Sequence, residues 1–299
     1  MFRFLSIILI FTYSYIPLSY ASTIAILVPL EHEAMNQIVS GIRESLPSSV
    51  KVLTQNAHAD PNMQLALIKQ MNDQDIDIVM PIGSSSCQMT LAHRPNKITI
   101  CVAAIMEQAT TFATGINDEI PISISLAKLP KLKRIAVIYS ASEKIAPEIE
   151  HLQEYAKEHN IHLHLAMVQS MIDLPSAAKT SPKDIEAFLI LKDHIVVSGA
   201  SIVAAEAAKR QIPLIASDES SVMNGATIAI GAKEKDIGLE AGKMAGQILE
   251  GAPVQEVPYR NIEAMTLFVN TQNLALQKIL DMDALSKIGL PILRLKVGK

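Results

Sequence analysis

The 299-residue chain is rich in aliphatic side chains: 49% of its residues are hydrophobic, 19% are charged, 4% are aromatic, and there is no tryptophan. This balance excludes a disordered chain. The 26 basic and 30 acidic side chains leave a net charge of −4, and without basic clusters we expect no nucleic-acid partner. The length suits one large domain or two lobes of about 120–140 residues.

The first 21 residues predict a secretory signal peptide. Arg3 precedes an apolar run at residues 5–18, and Ser19-Tyr20-Ala21 ends in a small residue suited to cleavage before Ser22. An uncleaved membrane anchor is the alternative, because a single arginine is a weak positive start. No cysteine follows the run, so we do not expect a lipid anchor. The mature protein is therefore predicted to be periplasmic, soluble and not lipidated.

Apolar strand runs alternate with helical periods along the mature chain. In the first part the pattern predicts strands at 24–29, 50–54, 76–81 and 98–103, with helices at 33–46, 61–73 and 87–93. After Gly115 the pattern restarts, with strands at 134–139, 161–167, 186–191, 213–216, 225–230 and 267–269, and helices at 146–160, 197–210 and 237–249. Continuous apolar strands between helices indicate parallel sheets covered on both faces. We therefore predict an α/β fold of two doubly wound parallel-sheet lobes.

Sheets of this kind bind ligands beyond the carboxyl ends of their strands, and two lobes whose loops face each other form a cleft for a small molecule. The most informative loop is Gly83-Ser84-Ser85-Ser86-Cys87. A glycine leading into serines at a helix start offers free backbone N–H groups and the positive end of a helix dipole, which suit a carboxylate or phosphate. An ordinary N-cap by Ser84 or Ser85 is the alternative.

Acidic residues follow the strands of the second lobe. Ser142 and Glu143 follow its first strand, Asp193 follows the 186–191 strand, and Asp218 follows the 213–216 strand. A desolvated ammonium group needs a carboxylate partner, so each acid is a candidate for one. Each is equally a candidate helix cap or turn former.

The cysteines and histidines predict no chemistry of their own. Cys87 and Cys101 are expected at a helix start and inside a buried strand, a placement that favours two buried thiols over a disulfide. The eight histidines include His162 and His164 on one strand face, but no ligand spacing is completed, so no metal or cofactor is expected. His32, after the first strand, is the histidine expected in the cleft.

Several loops match a known family at consistent spacing over residues 24–285. The motifs are the first strand and helix with His32 and Gly41, Asn56-Ala57-His58-Ala59-Asp60, Gly83 to Gln88, Thr114-Gly115-Ile116-Asn117-Asp118, Tyr139 with Ser142 and Glu143, Asp193-His194, a weakened element at Glu234 to Gly238, and Val269-Asn270. The chain thus resembles ABC transporter substrate-binding proteins typified by tryptophan- and tyrosine-binding members, which have the type I periplasmic-binding-protein fold.

The resemblance implies an interlobe cleft, a three-strand hinge and a membrane permease as partner. Together with the loop positions it predicts the ligand-binding residues His32, Asn56, Gly83, Ser84, Ser85, Ser86, Ile105, Tyr139, Ser140, Ser142, Glu143, Asp193, Ser217 and Asp218. The domains expected are residues 22–117 plus 232–254 for the first lobe and residues 118–231 plus 255–299 for the second. The protein is expected to be a monomer.

The chain departs from the family pattern at several cleft positions. Ser84-Ser85 replaces Thr-Pro, Ile105-Met106-Glu107-Gln108 replaces Val-Thr-Asp-Pro, and Ile145 replaces an asparagine. With few aromatic residues, an aromatic ligand would lose stacking partners worth on the order of 1 kcal/mol each.

The function predicted is therefore delivery of a small zwitterion, an amino acid or similar, to an importer, with no enzymatic activity. A degenerate binding protein that senses a ligand or contacts a protein without transport is the main alternative. A secreted enzyme using Ser86 and His32 is a weaker one. A cytoplasmic ligand-sensing regulator of similar fold would carry a helix-turn-helix head in place of the signal segment.

Overall fold

Alternating strands and helices build a first lobe from the amino-terminal part of the chain. The computed structural model describes residues 22–129, 132–142, 145–273, 275 and 287–297, so the predicted signal segment lies outside the described residues. The elements of this part are β1 (Thr23–Val28), α1 (Glu33–Ser45), β2 (Lys51–Asn56), α2 (Pro61–Asp73), β3 (Ile78–Pro81), α3 (Ser84–His93), β4 (Thr99–Val102) and β5 (Ala113–Asn117).

A second lobe follows, and the chain then returns to the first lobe before it ends in the second. Its elements are α4 (Ile122–Lys128), β6 (Arg134–Ser140), α5 (Ile145–Glu158), β7 (His162–Val168), α6 (Leu174–Thr180), β8 (Ala187–Ile190), α7 (His194–Ser198), α8 (Ala200–Arg210), β9 (Leu214–Ala216), α9 (Glu219–Met223) and β10 (Ile228–Gly231). The remaining elements are α10 (Glu234–Leu249), β11 (Arg260–Asn261), β12 (Thr266–Asn270) and β13 (Ile292–Leu295).

The strands form two sheets, ordered β11-β5-β4-β3-β1-β2 and β13-β12-β10-β9-β8-β6-β7. Every strand pair that the structure describes is parallel except β10 with β12. Central strands such as β3, β4 and β8 are buried along their whole length, as expected for sheets with helices on both faces. The predicted α/β fold of two parallel-sheet lobes is confirmed.

In its described part, the chain passes between the lobes three times, at residues 118–121, 232–233 and 262–265. The third passage differs from the sequence prediction, which assigned all of residues 255–299 to the second lobe. Arg260 and Asn261 pair with Ile116 and Asn117, so β11 lies in the first sheet. This short, polar, exposed strand lacks the apolar run from which strands are predicted.

Two other local predictions are corrected. The helix expected at residues 197–210 is two helices, α7 and α8, separated at Gly199. The cysteines form a disulfide rather than two thiols: Cys87 and Cys101 are fully buried and bonded to each other, with their Cα atoms 5.4 Å apart. Helix α3 begins at Ser84, three residues before the predicted start, and this places Cys87 one turn further into the helix, where it reaches β4.

Among the described helices, none combines the length and the apolar character needed to cross a membrane.

Helix α10 packs directly on α1, and glycines make the close approach possible. A Cβ atom on Gly41 would lie 2.8 Å from the Leu239 backbone nitrogen, and one on Gly242 would lie 2.8 Å from the Ile42 carbonyl oxygen. Gly238 meets the Ile38 backbone in the same way. The two helices share one buried core with the first sheet, so the returning segment completes that lobe.

This contact yields a stability prediction. Gly238→Ala should destabilise the protein by about 1–3 kcal/mol, because a methyl group there meets backbone rather than a movable side chain. The matched control is Gly246→Ala in the same helix, where an added Cβ meets nothing within 4 Å. The control should stabilise by about 0.5–1 kcal/mol through helix propensity. Urea unfolding of both variants is the measurement, and equal effects of the two would contradict the close packing.

Candidate functional site

The start of α3 leaves backbone donors free at the carboxyl edge of the first sheet. Gly83 precedes the helix with φ of 87°, a conformation that favours glycine, and no side chain caps this end. The first backbone N–H within the helix to find a partner is that of Cys87, which donates to the Gly83 carbonyl oxygen at 2.9 Å. The N–H groups of Ser84, Ser85 and Ser86 therefore carry the positive end of the helix dipole without an intrahelical partner.

The three serine side chains have different surroundings. The Ile105 N–H donates to Ser84 Oγ at 3.0 Å, which joins the loop after β3 to the loop after β4. Ser86 is buried and its Oγ donates to Gln64 Oε1 at 3.3 Å. Ser85 is exposed. The backbone at this turn is thus held from both sides while one hydroxyl stays accessible.

A cavity between the lobes begins at Ile105. Its volume is about 370 Å³, and the first lobe, the first passage and helices α4 and α5 of the second lobe all contribute to it. The apolar lining residues are Ile105, Ile120, Pro121, Ile122, Pro147 and Leu152. The polar lining residues are Asn117, Glu119, Ser123, Glu148, His151 and Asn261. Ile105, predicted as a site residue, therefore connects the start of α3 to an interlobe space that is lined by no phenylalanine or tyrosine.

In the second lobe, Asp193 has a structural task. It is buried, its Oδ2 accepts the Ser140 N–H at 2.7 Å, and its Oδ1 accepts the N–H groups of Ile195 and Val196 at 2.9 and 3.0 Å. The carboxylate caps α7 and ties it to the end of β6. Of the two roles that the sequence left open for Asp193, the geometry supports the cap.

Asp218 repeats this arrangement at α9. Its Oδ1 accepts the Ser221 N–H at 2.8 Å and its Oδ2 accepts the Ser221 hydroxyl at 2.7 Å. The buried hydroxyls of Ser140 and Ser217 have no hydrogen-bond partner among the described residues. These hydroxyls lie at the carboxyl ends of β6 and β9, which flank β8 in the sheet.

His32 lies at a second interlobe cavity of about 210 Å³, between the start of α1 and helix α9. Its Nδ1 accepts the Ala34 N–H at 3.2 Å, so the ring caps α1. Glu33 and Glu234 line the same cavity, together with Glu219 of the second lobe. Burial raises the pKa of Glu219, and the negative charges of Asp218, Asp236 and Glu33 raise it further against the opposing effect of Lys233.

Three predicted residues, Asn56, Tyr139 and Ser142, lie apart from these features. Asn56 ends the edge strand β2, where its Oδ1 accepts the His58 N–H at 2.7 Å in a tight turn. The Tyr139 ring is half-buried against the core of the second lobe, and Ser142 Oγ accepts the Ile145 N–H at the start of α5. Glu143 lies outside the described residues.

Lys192 was not predicted, yet it has the most extensive ionic contacts in the described part of the interlobe region. Its Nζ bonds to Asp118 Oδ2 and lies 3.0 Å from Glu234 Oε1. Burial alone would lower the pKa of Lys192, but Asp118, Glu234 and Asp218 more than reverse this and hold it well above its usual value. Burial raises the pKa of Glu234, an effect that Lys192 opposes. The only sequence signal that could have identified Lys192 as a cleft residue is its position directly after a predicted strand and beside Asp193.

Comparison with known proteins assigns the family. The profile of the family described as ABC transporter substrate binding protein matches residues 23–290. The chain belongs to this family. Substrate-binding proteins of ABC transporters bind solutes outside the cytoplasm, and the family is generally non-enzymatic.

Two curated relatives extend the match. The chain is 50% identical over 265 residues to a Rickettsia prowazekii (strain Madrid E) protein, with 88% of each chain covered. It is 28% identical over 282 residues to the tyrosine-binding protein of Clostridioides difficile (strain R20291), covering 86% of this substrate-binding protein and 80% of that one.

Solved structures show the same fold. The ABC domain from Streptococcus pneumoniae in complex with L-Trp has a TM-score of 0.78 at 21% identity, covering 92% of this chain and all of that one. The ligand-free, open structure of a substrate-binding protein from Clostridium difficile has a TM-score of 0.74 at 21% identity, covering 93% and 100% of the two chains. The predicted type I periplasmic-binding-protein fold is confirmed.

The capping role of Asp193 is testable without a ligand. Asp193→Ala should destabilise the substrate-binding protein by about 1–3 kcal/mol, because buried N–H groups lose their acceptor. Asp184→Ala, which removes an exposed carboxylate from the same lobe, should change stability by less than about 0.5 kcal/mol. Thermal unfolding without ligand is the measurement. An Asp193→Ala variant as stable as the unsubstituted protein would contradict the capping role.

Proposed function

We propose that this protein is the periplasmic solute-binding component of an ABC importer, secreted through its first 21 residues and not lipidated. It binds a small zwitterion, an amino acid or similar compound, between its lobes and delivers it to a membrane permease. The observation that carries this proposal is the uncapped start of α3 at the interlobe edge, which offers three backbone N–H groups to a carboxylate.

The described acids restrict where the ligand's ammonium group binds. Asp193 and Asp218 are occupied by backbone and hydroxyl donors, and Lys192 neutralises Asp118 and Glu234. Of the two acids that the sequence favours for the ammonium group, Glu143 and Asp193, the proposal therefore keeps Glu143, which follows Ser142 in the chain. Binding would draw the lobes together, because a ligand that contacts both lobes favours the closed state.

The ligand's side chain is proposed to enter the cavity beside Ile105. The relatives named above include a tyrosine-binding protein and a structure in complex with L-Trp, so aromatic amino acids belong among the candidates. The apolar part of the lining equally suits a branched or linear apolar side chain, and polar residues such as Glu119, Glu148 and His151 make up the rest. A panel of ligands has to separate these classes.

Thermal unfolding of residues 22–299 against the twenty amino acids, with sugars, polyamines, dipeptides and purines, tests the proposal. A ligand present at 100 times its Kd should stabilise the protein by about 2.7 kcal/mol. Stabilisation by an amino acid would support the proposal, and Glu143→Ala should then remove it. No response after removal of any co-purified ligand would favour the sensing or protein-binding alternative.

The carboxylate site has a sharper test at Ser84. Gly83 has ψ of 150°, which is compatible with a following proline, and Ser84 is the first helical residue. Ser84→Pro removes the N–H and the hydroxyl, whereas the control Ser84→Ala removes the hydroxyl alone. Loss of a charge-assisted hydrogen bond should weaken binding of the ligand found above about 10- to 100-fold in the proline variant relative to the alanine variant. Equal Kd values in titration calorimetry would contradict a carboxylate at this turn.

A further inference from the structure

The three passages between the lobes are connected to one another in two different ways. The first and third passages are joined through the backbone: Arg260 and Asn261 pair with the end of β5, and the Ile262 N–H donates to the Asn117 carbonyl oxygen at 2.8 Å. The second passage, at residues 232–233, follows β10 and leads directly into α10. Among the described contacts, a lysine side chain connects it to the first passage.

Lys192 makes that connection. Its Nζ contacts Asp118, which opens the first passage, and Glu234, which directly follows the second. Lys192 itself belongs to the loop after β8 in the second lobe, whereas Glu234 begins a helix of the first lobe. One ammonium group therefore joins two passages to each other and both of them to the second lobe.

The burial of the cluster makes this connection difficult to replace. The carboxylate side chains of Asp118 and Glu234 are only 3% and 7% exposed, and that of Lys192 is 26% exposed. Asp218 adds a further negative charge to the surroundings of Lys192. Without the ammonium group, neighbouring buried carboxylates would repel one another, and water would have to enter or a proton would have to bind.

We propose that Lys192 is a positioning residue for the hinge: its ammonium group holds the first and second passages against the second lobe and thereby limits the range of interlobe motion. The proposal depends on the two-lobe fold and not on the identity of a ligand. The proposed solute-binding function can therefore be wrong while the hinge proposal is right, and the hinge proposal can be wrong while the solute-binding function is right.

The test measures the distance between the lobes directly in the protein without ligand. Spin labels on Gln70→Cys in α2 and Ala205→Cys in α8 use exposed positions of the two lobes, and the native cysteines are bonded to each other. Double electron–electron resonance then gives the distance distribution. Lys192→Met should broaden this distribution and shift its mean relative to the unsubstituted protein.

A second variant decides the question if Lys192→Met does not fold. Glu234→Gln keeps the side-chain shape but removes the charge that pairs with Lys192 in the first lobe. It leaves the contact between Lys192 and Asp118 in place. This variant should also broaden the distance distribution, although its melting temperature should fall less than that of Lys192→Met.

Lys209→Met is the matched control. Lys209 is a cation of the same lobe, but it is largely exposed and its partner Glu206 lies on the same helix. The control should leave the distance distribution unchanged. A folded Lys192→Met or Glu234→Gln variant with the distribution of the unsubstituted protein would overturn the proposal, and so would equal broadening by Lys209→Met.

Discussion

The three passages of the chain between its two sheets are the constraint on which the other features of this protein depend. They keep the carboxyl edges of both sheets close enough for residues 118, 192 and 234 to form one ionic cluster. They also place residues of both lobes around the same interlobe cavities. A buried cluster of this kind is weak evidence for stability by itself, but it can specify one arrangement of the parts that it joins.

Helix N-termini at the interlobe edges of the sheets are either capped by a side chain of the protein or left open. At α1, α7 and α9 a side chain of the protein fills the cap position, and these helices are thereby fixed in their lobes. At α3 a glycine stands there instead, and the disulfide and the Ser84 contact hold the helix in place. The same free N–H groups of helix N-termini thus bind acceptor side chains at three positions, two of them carboxylates, and supply the proposed ligand contact at the fourth.

Much of the fold was predictable from local sequence pattern. The helix at Pro61–Asp73 was predicted at its observed bounds, because an acidic cap, a proline at the first helical position and an apolar period all agree there. The candidate site was less predictable. Asp193 caps a helix, and Lys192 bridges Asp118 and Glu234. Both roles depend on contacts between segments that are distant in the sequence, and the periodic pattern of apolar residues does not predict such contacts. The disulfide was missed because one turn at the start of α3 decides whether Cys87 faces Cys101.

The packing of α10 on α1 has a consequence for the order in which the chain can be completed. The first sheet is exposed on the α10 side when only its first five strands are present, and it stays so until residue 249 has followed. β11 then adds the edge strand, and β12 and β13 complete the second sheet last of all. Neither lobe can therefore be completed before segments from the final quarter of the chain are present. Anything that shields the uncovered apolar face of the first sheet in the meantime has to leave before α10 can dock.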